Sequence, residues 1–161
     1  MRGKMVKREW KRKRPVKSEV VADGAVSDAA LERVEAKPAR GRRILLVDDE
    51  AMIRDCLTEF LLHRGFEVSP ATSCLDGLLE AMARPHDCLI LDLNFPDING
   101  VFLFHQLDRI DRDLARRTVF ITGLDESHPF HRQALDTGAA VLSKPFDFSR
   151  LGDILESYCG E

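Results

Sequence analysis

The sequence has no apolar run that approaches the roughly 20 residues of a membrane-spanning helix. Its basic beginning is not followed by the apolar segment and cleavage site of a secretory signal either. Hydrophobic residues make up 44% and charged residues 32% of the chain, a composition typical of a globular domain in water. We therefore expect a soluble, cytoplasmic protein.

Cysteine is scarce and scattered: the 161 residues include four cysteines, with no CxxC pair and no histidine at metal-ligand spacing. This pattern argues against a disulfide framework and against a zinc site. We expect buried, reduced thiols at Cys56, Cys74, Cys88 and Cys159. The histidines form no cluster either, and we expect surface or partly buried positions for His63, His86, His105, His128 and His131.

The small net charge of −3 conceals two segments of opposite sign. Residues 1–43 contain 14 Lys or Arg and 6 Asp or Glu, whereas the remainder contains 10 and 21. The acidic part of the chain after residue 43 lacks the basic face that a nucleic-acid backbone requires, so we do not expect that part to bind nucleic acid.

Residues 1–42 show no sustained apolar period, and we predict a basic, mostly disordered tail there. A solvated extension, or a start codon assigned too early, explains it most simply. The alternative is that the basic run 11–14, with Trp10, contacts nucleic acid, an anionic membrane or the acidic face of residues 43–161.

From residue 43 onward, short apolar runs alternate with segments of helical periodicity. Five strands and five helices in alternation predict an α/β fold with a parallel sheet covered on both faces. We expect a doubly wound, flavodoxin-like sheet of order 2-1-3-4-5, with its site at the carboxyl ends of the strands. The expected strands are 43–47, 66–69, 87–91, 118–121 and 139–143. The expected apolar faces of the first two helices are Met52, Ile53, Cys56, Leu57, Phe60 and Leu61, and Leu75, Leu78, Leu79 and Met82.

Polar side chains follow four of these strands: Asp48 and Asp49, Asp92, Thr122 and Lys144. Each has an ordinary explanation taken alone, such as a helix cap, a turn residue, a strand end or a solvated charge. Together, carboxylates at one sheet edge repel each other or recruit a cation, and oxygen ligands suit Mg²⁺. A carboxylate can also attack phosphorus, while an amine neutralises the phosphoryl oxygens and a hydroxyl donates to one of them.

These residues lie in motifs that resemble the receiver domains of two-component systems, over about residues 43–159. The motifs are ILLVDDE at 44–50, DLNFPDING at 92–100, ITG at 121–123 and LSKPF at 142–146.

The resemblance implies that Asp92 accepts a phosphoryl group from a sensor histidine kinase or a histidine phosphotransfer protein. It further implies that Asp49 and Asp92 bind Mg²⁺ directly, together with the backbone carbonyl of Asn94, and that Asp48 holds the metal through water. Lys144 would pair with the phosphate.

The same resemblance implies that the Thr122 hydroxyl acts as the switch that senses the phosphate, and that the Gly123 N–H also faces the phosphate. The peptide before Pro145 is expected to be cis.

Two positions depart from the family pattern. Val141 replaces the usual aromatic residue, which puts readout through an aromatic rotamer in doubt. Leu124 stands where many members are polar, and we expect it to shield the phosphate and slow self-dephosphorylation.

No output domain follows residue 161 in this sequence, so we expect a stand-alone, monomeric or weakly dimeric receiver that acts through protein–protein contacts. A haloacid-dehalogenase-type phosphohydrolase is the alternative from the enzyme class, but it needs a second acid where Asn94 stands. A receiver that is never phosphorylated is a third hypothesis, which the intact set of acids, threonine and lysine disfavours.

Overall fold

The computed structural model describes residues 41–96 and 98–159, so nearly all of the predicted tail lies outside the described residues. Five strands alternate with helices along the chain. The elements are β1 (Arg43–Val47), α1 (Ala51–His63), β2 (Glu67–Ala71), α2 (Cys74–Ala83), β3 (Cys88–Asp92), α3 (Gly100–Ile110), α4 (Arg112–Ala115), β4 (Thr118–Thr122), α5 (Pro129–Asp136), β5 (Ala140–Ser143) and α6 (Phe148–Cys159). The short helix α4 was not predicted.

The five strands form one parallel sheet of order β2-β1-β3-β4-β5, which confirms the predicted fold. Every residue of β3 and β4 is buried, as expected for strands covered on both faces. Val47 pairs with Leu91, so the residues that follow β1 and end β3 meet at one sheet edge.

Two apolar cores lie on opposite faces of the sheet, because successive side chains of a strand point to opposite sides. In β1, Leu45 and Val47 join the core that includes α2 and α3 residues, whereas Ile44 and Leu46 join the core that includes α1 and α6 residues. This division explains why the strand is a continuous apolar run.

The predicted packing face of α1 is partly wrong. Leu57, Phe60 and Leu61 are buried as expected, but Met52 is 86% exposed and Cys56 is also exposed. None of the four cysteines, all of which lie in the described part, forms a disulfide. The expectation of buried thiols is therefore wrong for Cys56 and confirmed for the other three.

The packing face of α2 was predicted from its large residues and is mostly wrong. Leu75, Leu79 and Met82 are exposed and Leu78 is partly buried against the core, whereas Cys74 and Gly77 are buried. A Cβ on Gly77 would lie 2.8 Å from Val47 Cγ2, so α2 packs very closely on the sheet. Small residues permit that approach, and the exposed side chains of Leu75, Leu79 and Met82 face away from the core.

Strand β2 lies at one edge of the sheet and contains Pro70, which pairs with Leu46. The expected strand 66–69 ended before Pro70, whereas the observed strand continues through Pro70 to Ala71. Proline is tolerated there because an edge strand has one side without ladder hydrogen bonds.

Two histidines are more buried than predicted: His86 is 5% and His131 is 4% exposed. Neither ring nitrogen of His86 has a hydrogen-bond partner among the described residues, and its Nε2 lies 3.9 Å from Glu80 Oε1. Burial lowers the pKa of His86. No helix in the described part of the chain is long and apolar enough to cross a membrane.

Candidate functional site

Three carboxylates meet at the carboxyl ends of β1 and β3. Asp48 and Asp92 are buried, with 1% and 2% exposure, and Asp49 is exposed. One carboxylate oxygen from each of the three lies within 4.8 Å of the others. The sequence predicted this grouping, because parallel strands in the order β1-β3 end at the same edge.

Lys144 reaches these acids from the end of β5, two strands away from β3. Its Nζ donates to Asp92 Oδ2 at 3.2 Å, to Asp48 Oδ2 at 3.3 Å and to Glu50 Oε1 at 3.0 Å. The Lys144–Pro145 peptide is cis, as predicted. Glu50 was not predicted as a site residue, although it follows directly after the two predicted acids.

Burial is the main influence on the charges of this cluster. Desolvation raises the pKa of Asp92 and of Asp48, and the neighbouring Lys144 opposes that rise in both cases. Burial alone would lower the pKa of Lys144, but Asp92, Glu50 and Asp48 outweigh it and hold that pKa above its ordinary value. The site therefore concentrates negative charge that one ammonium group offsets only in part.

The donor set fits a hard divalent cation. Asp48, Asp49 and Asp92 offer carboxylate oxygens only, and two of the three are withdrawn from water. Oxygen ligands of this kind suit Mg²⁺, which commonly binds through one or two carboxylates and keeps several waters. The side chain of Asn94 is exposed, and its backbone N–H donates to Asp92 Oδ1 at 3.3 Å.

The backbone after Asp92 is held tightly against the start of α3. Asn99 caps this helix, and its side chain accepts the Phe102 N–H at 2.9 Å. The Gly100 N–H donates to the Leu93 carbonyl at 3.1 Å. A Cβ on Gly100 would clash with the backbone carbonyl oxygen of Asp92, so only glycine allows this approach.

Thr122 ends β4 and is fully buried. Its Oγ1 accepts the backbone N–H of Leu124 at 2.9 Å, which leaves the hydroxyl proton available for another acceptor. Gly123 between them is exposed, and a Cβ there would meet nothing within 4 Å.

The two residues that depart from the family pattern both pack against the α2–α3 side of the sheet. Leu124 is partly buried there, and so is Val141 on β5. The Leu124 carbonyl lies 3.1 Å from Nδ1 of the buried His131 on α5. This histidine contact was not predicted, because a single histidine on a helix carries no spacing signal.

Comparisons with known proteins show which family this chain is similar to. A family model described as the response regulator receiver domain matches residues 44–156. The KDP operon transcriptional regulatory protein KdpE of Escherichia coli (strain K12) is 36% identical over 109 residues, which are 67% of this chain and 47% of that protein. Sporulation initiation phosphotransferase F of Bacillus subtilis (strain 168) is 26% identical over 117 residues, covering 72% of this chain and 92% of that protein.

A solved structure gives the same result for the fold. Response regulator protein TrrA from Thermotoga maritima, in complex with Mg(2+)-BeF, matches with a TM-score of 0.63 and 28% identity, covering 73% of this chain and 98% of that one. The chain spans about half the length of KdpE and of several other curated relatives that it matches.

Proposed function

The chain belongs to the response regulator receiver domain family, whose members act as phosphoacceptors in two-component signalling, and we propose that Asp92 is the residue that accepts the phosphoryl group. The observation that carries this proposal is the burial of Asp92 at the end of a central strand, beside a second buried acid and within hydrogen-bonding distance of Lys144. The Lys144 ammonium group thus holds the Asp92 carboxylate at the edge of the sheet where folds of this kind bind ligands.

The proposed reaction is one displacement at phosphorus. A carboxylate oxygen of Asp92 forms a bond to phosphorus while the bond from phosphorus to the donor's histidine nitrogen breaks, and the imidazole leaves with the electron pair. Lys144 already contacts Asp92 Oδ2 and is placed to neutralise charge on the arriving phosphoryl oxygens.

Thr122 and Gly123 would report the presence of the phosphoryl group. The Thr122 oxygen accepts a hydrogen bond from Leu124, so its proton is free to donate to a phosphoryl oxygen. The Gly123 N–H is proposed as a second donor. A hydrogen bond that forms only after phosphorylation converts the covalent event into a change of conformation.

Asp48, Asp49 and Asp92, with the backbone carbonyl of Asn94, are the proposed residues for holding Mg²⁺. The ion would supply positive charge against the phosphoryl oxygens. The proximity of the three acids and the burial of two of them support this assignment, since such acids repel each other without a cation.

The test is phosphorylation of the full chain by a small phosphodonor with Mg²⁺, followed by intact-mass measurement. We expect the wild type to gain one phosphoryl group and Asp92→Asn to gain none. Asp136→Asn is the matched control, because Asp136 is an exposed acid at the end of α5. Labelling of Asp92→Asn at the wild-type level would show that the acceptor is a different residue.

We also propose the wider role of the chain: a cytoplasmic switch that receives its phosphoryl group from a sensor histidine kinase or a phosphotransfer protein, and signals through protein–protein contacts. A switch promotes its own phosphorylation and dephosphorylation rather than turning over a substrate.

The division into a tail at 1–42 and a receiver at 43–161 remains a prediction. The stand-alone, monomeric or weakly dimeric state and any contact of the tail with nucleic acid also remain predictions. The phosphohydrolase alternative finds no support in the comparisons.

A further inference from the structure

Helix α5 is attached to the rest of the protein by few buried side chains. Along Pro129–Asp136, only His131 and Ala134 are buried, whereas five of the other six residues are exposed and Phe130 is partly buried. Elements with so little buried surface have low local stability and move more readily than the core. The contacts of His131 therefore have a large influence on where α5 lies.

A chain of two hydrogen bonds connects that histidine to Thr122. The Leu124 N–H donates to Thr122 Oγ1 at 2.9 Å, and the Leu124 carbonyl lies 3.1 Å from His131 Nδ1. A carbonyl oxygen can only accept, so Nδ1 carries the proton in this contact. Both bonds use the backbone of a single residue, and a displacement of Thr122 acts on Leu124 and through it on His131.

Val141 offers no equivalent connection. It is partly buried, packs against the α2–α3 side of the sheet and has no polar atom in its side chain. Its short, β-branched side chain is also restricted to few rotamers. The hydrogen-bonded path through Leu124 is thus the direct link between Thr122 and a helix that the described residues show.

We propose that His131 is a positioning residue that couples the state of Thr122 to the position of α5. The inference rests on the proposed function, because it needs a phosphoryl group at Asp92 to draw the Thr122 hydroxyl towards it. The Leu124 backbone follows Thr122, and its carbonyl then shifts or releases the His131 ring. A helix held by two buried residues responds to the change in one of them.

The experiment uses the full chain, Mg²⁺ and beryllofluoride, which mimics the phosphoryl group, with amide chemical shifts measured by NMR. His131→Leu introduces an apolar side chain of similar bulk and removes the donor, and His131→Asn restores a donor near the position of Nδ1. His105→Leu is the matched control, since His105 is an exposed histidine on α3.

In the wild type and in His105→Leu, beryllofluoride should shift the amides of Thr122 and of α5 together. In His131→Leu the Thr122 shift should persist while the α5 shifts are lost, and His131→Asn should recover them. If beryllofluoride changes the α5 amide chemical shifts of His131→Leu as much as those of the wild type, the proposed coupling is wrong. Absence of any change at Asp92 and Thr122 in the wild type would instead overturn the proposed function.

A second measurement covers the case in which His131→Leu does not fold. The ring nitrogens of His131 in the wild-type protein should change their shifts when beryllofluoride is added, whereas those of the exposed His105 should not. A His131 ring that remains unchanged while Thr122 responds would contradict the inference.

Discussion

Replacing Gly100 with alanine should destabilise the protein, although alanine is the better helix former. The added Cβ would clash with the Asp92 carbonyl oxygen and would lie 3.1 Å from the Asp92 carbonyl carbon and 3.2 Å from Leu93 Cα. All three atoms belong to the backbone, so no side chain can rotate away. Relief requires the start of α3 or the end of β3 to move.

The expected magnitude follows from two opposing effects. Alanine is favoured over glycine within a helix by about 1 kcal/mol. Overpacking in a dense region costs about 1–3 kcal/mol and sometimes more, and a contact with fixed backbone belongs at the upper end. We therefore expect Gly100→Ala to lower the free energy of unfolding by about 2 kcal/mol, the difference between a steric cost of about 3 kcal/mol and the helix gain.

Urea unfolding of both proteins measures this difference through the midpoint concentration, provided that the slope is unchanged. Gly123→Ala serves as the stability control, because a Cβ there meets nothing within 4 Å, and its change should stay within about 0.5 kcal/mol. If Gly100→Ala is as stable as the wild type, the close approach of α3 to Asp92 is not a constraint on the sequence and the reasoning fails.

Two further predictions concern partly or fully buried side chains. Leu124→Asn should shorten the lifetime of the phosphorylated protein severalfold, because an amide admits and orients water where leucine excludes it. The rate of phosphate release after removal of the phosphodonor measures this lifetime. An unchanged lifetime would contradict the shielding role of Leu124. His86→Leu should weaken the acid sensitivity of folding. Burial lowers the pKa of His86, so below its ordinary value of about 6.5 the unfolded chain binds more protons and the wild type loses up to about 1.4 kcal/mol of stability per pH unit. Urea midpoints at pH 7 and 5 that fall equally in both proteins would show that His86 does not cause the loss.

The sheet was predictable because its signal is redundant. Buried parallel strands are continuous apolar runs, and their alternation with helices restricts the topology to few choices. The helix faces were less predictable. In α2 the large residues Leu75, Leu79 and Met82 are at helical spacing but exposed, and the helix packs through Cys74, Gly77 and the partly buried Leu78. Hydrophobic periodicity identifies the helix face that carries the large apolar residues, whereas close packing on the sheet requires the face that carries the small residues.

The site was predictable to the extent that strand ends define it. The grouping of Asp48, Asp92 and Lys144 follows from the parallel strand order, since each lies at the end of a strand or one residue beyond it. Glu50 and His131 did not follow. Their contacts depend on the direction of a side chain across a loop or between helices, and no residue pattern along the chain encodes that direction.

Pro70 also has a consequence for the assembly of the protein with other chains. The Glu67 N–H donates to the Arg42 carbonyl and the Ala71 carbonyl accepts from Asp48, so alternate residues of β2 face β1 and the outer edge presents Val68 and Pro70. Proline has no N–H to donate. An incoming strand would therefore find one of the two outward donors of β2 missing, which protects this edge against strand addition and aggregation.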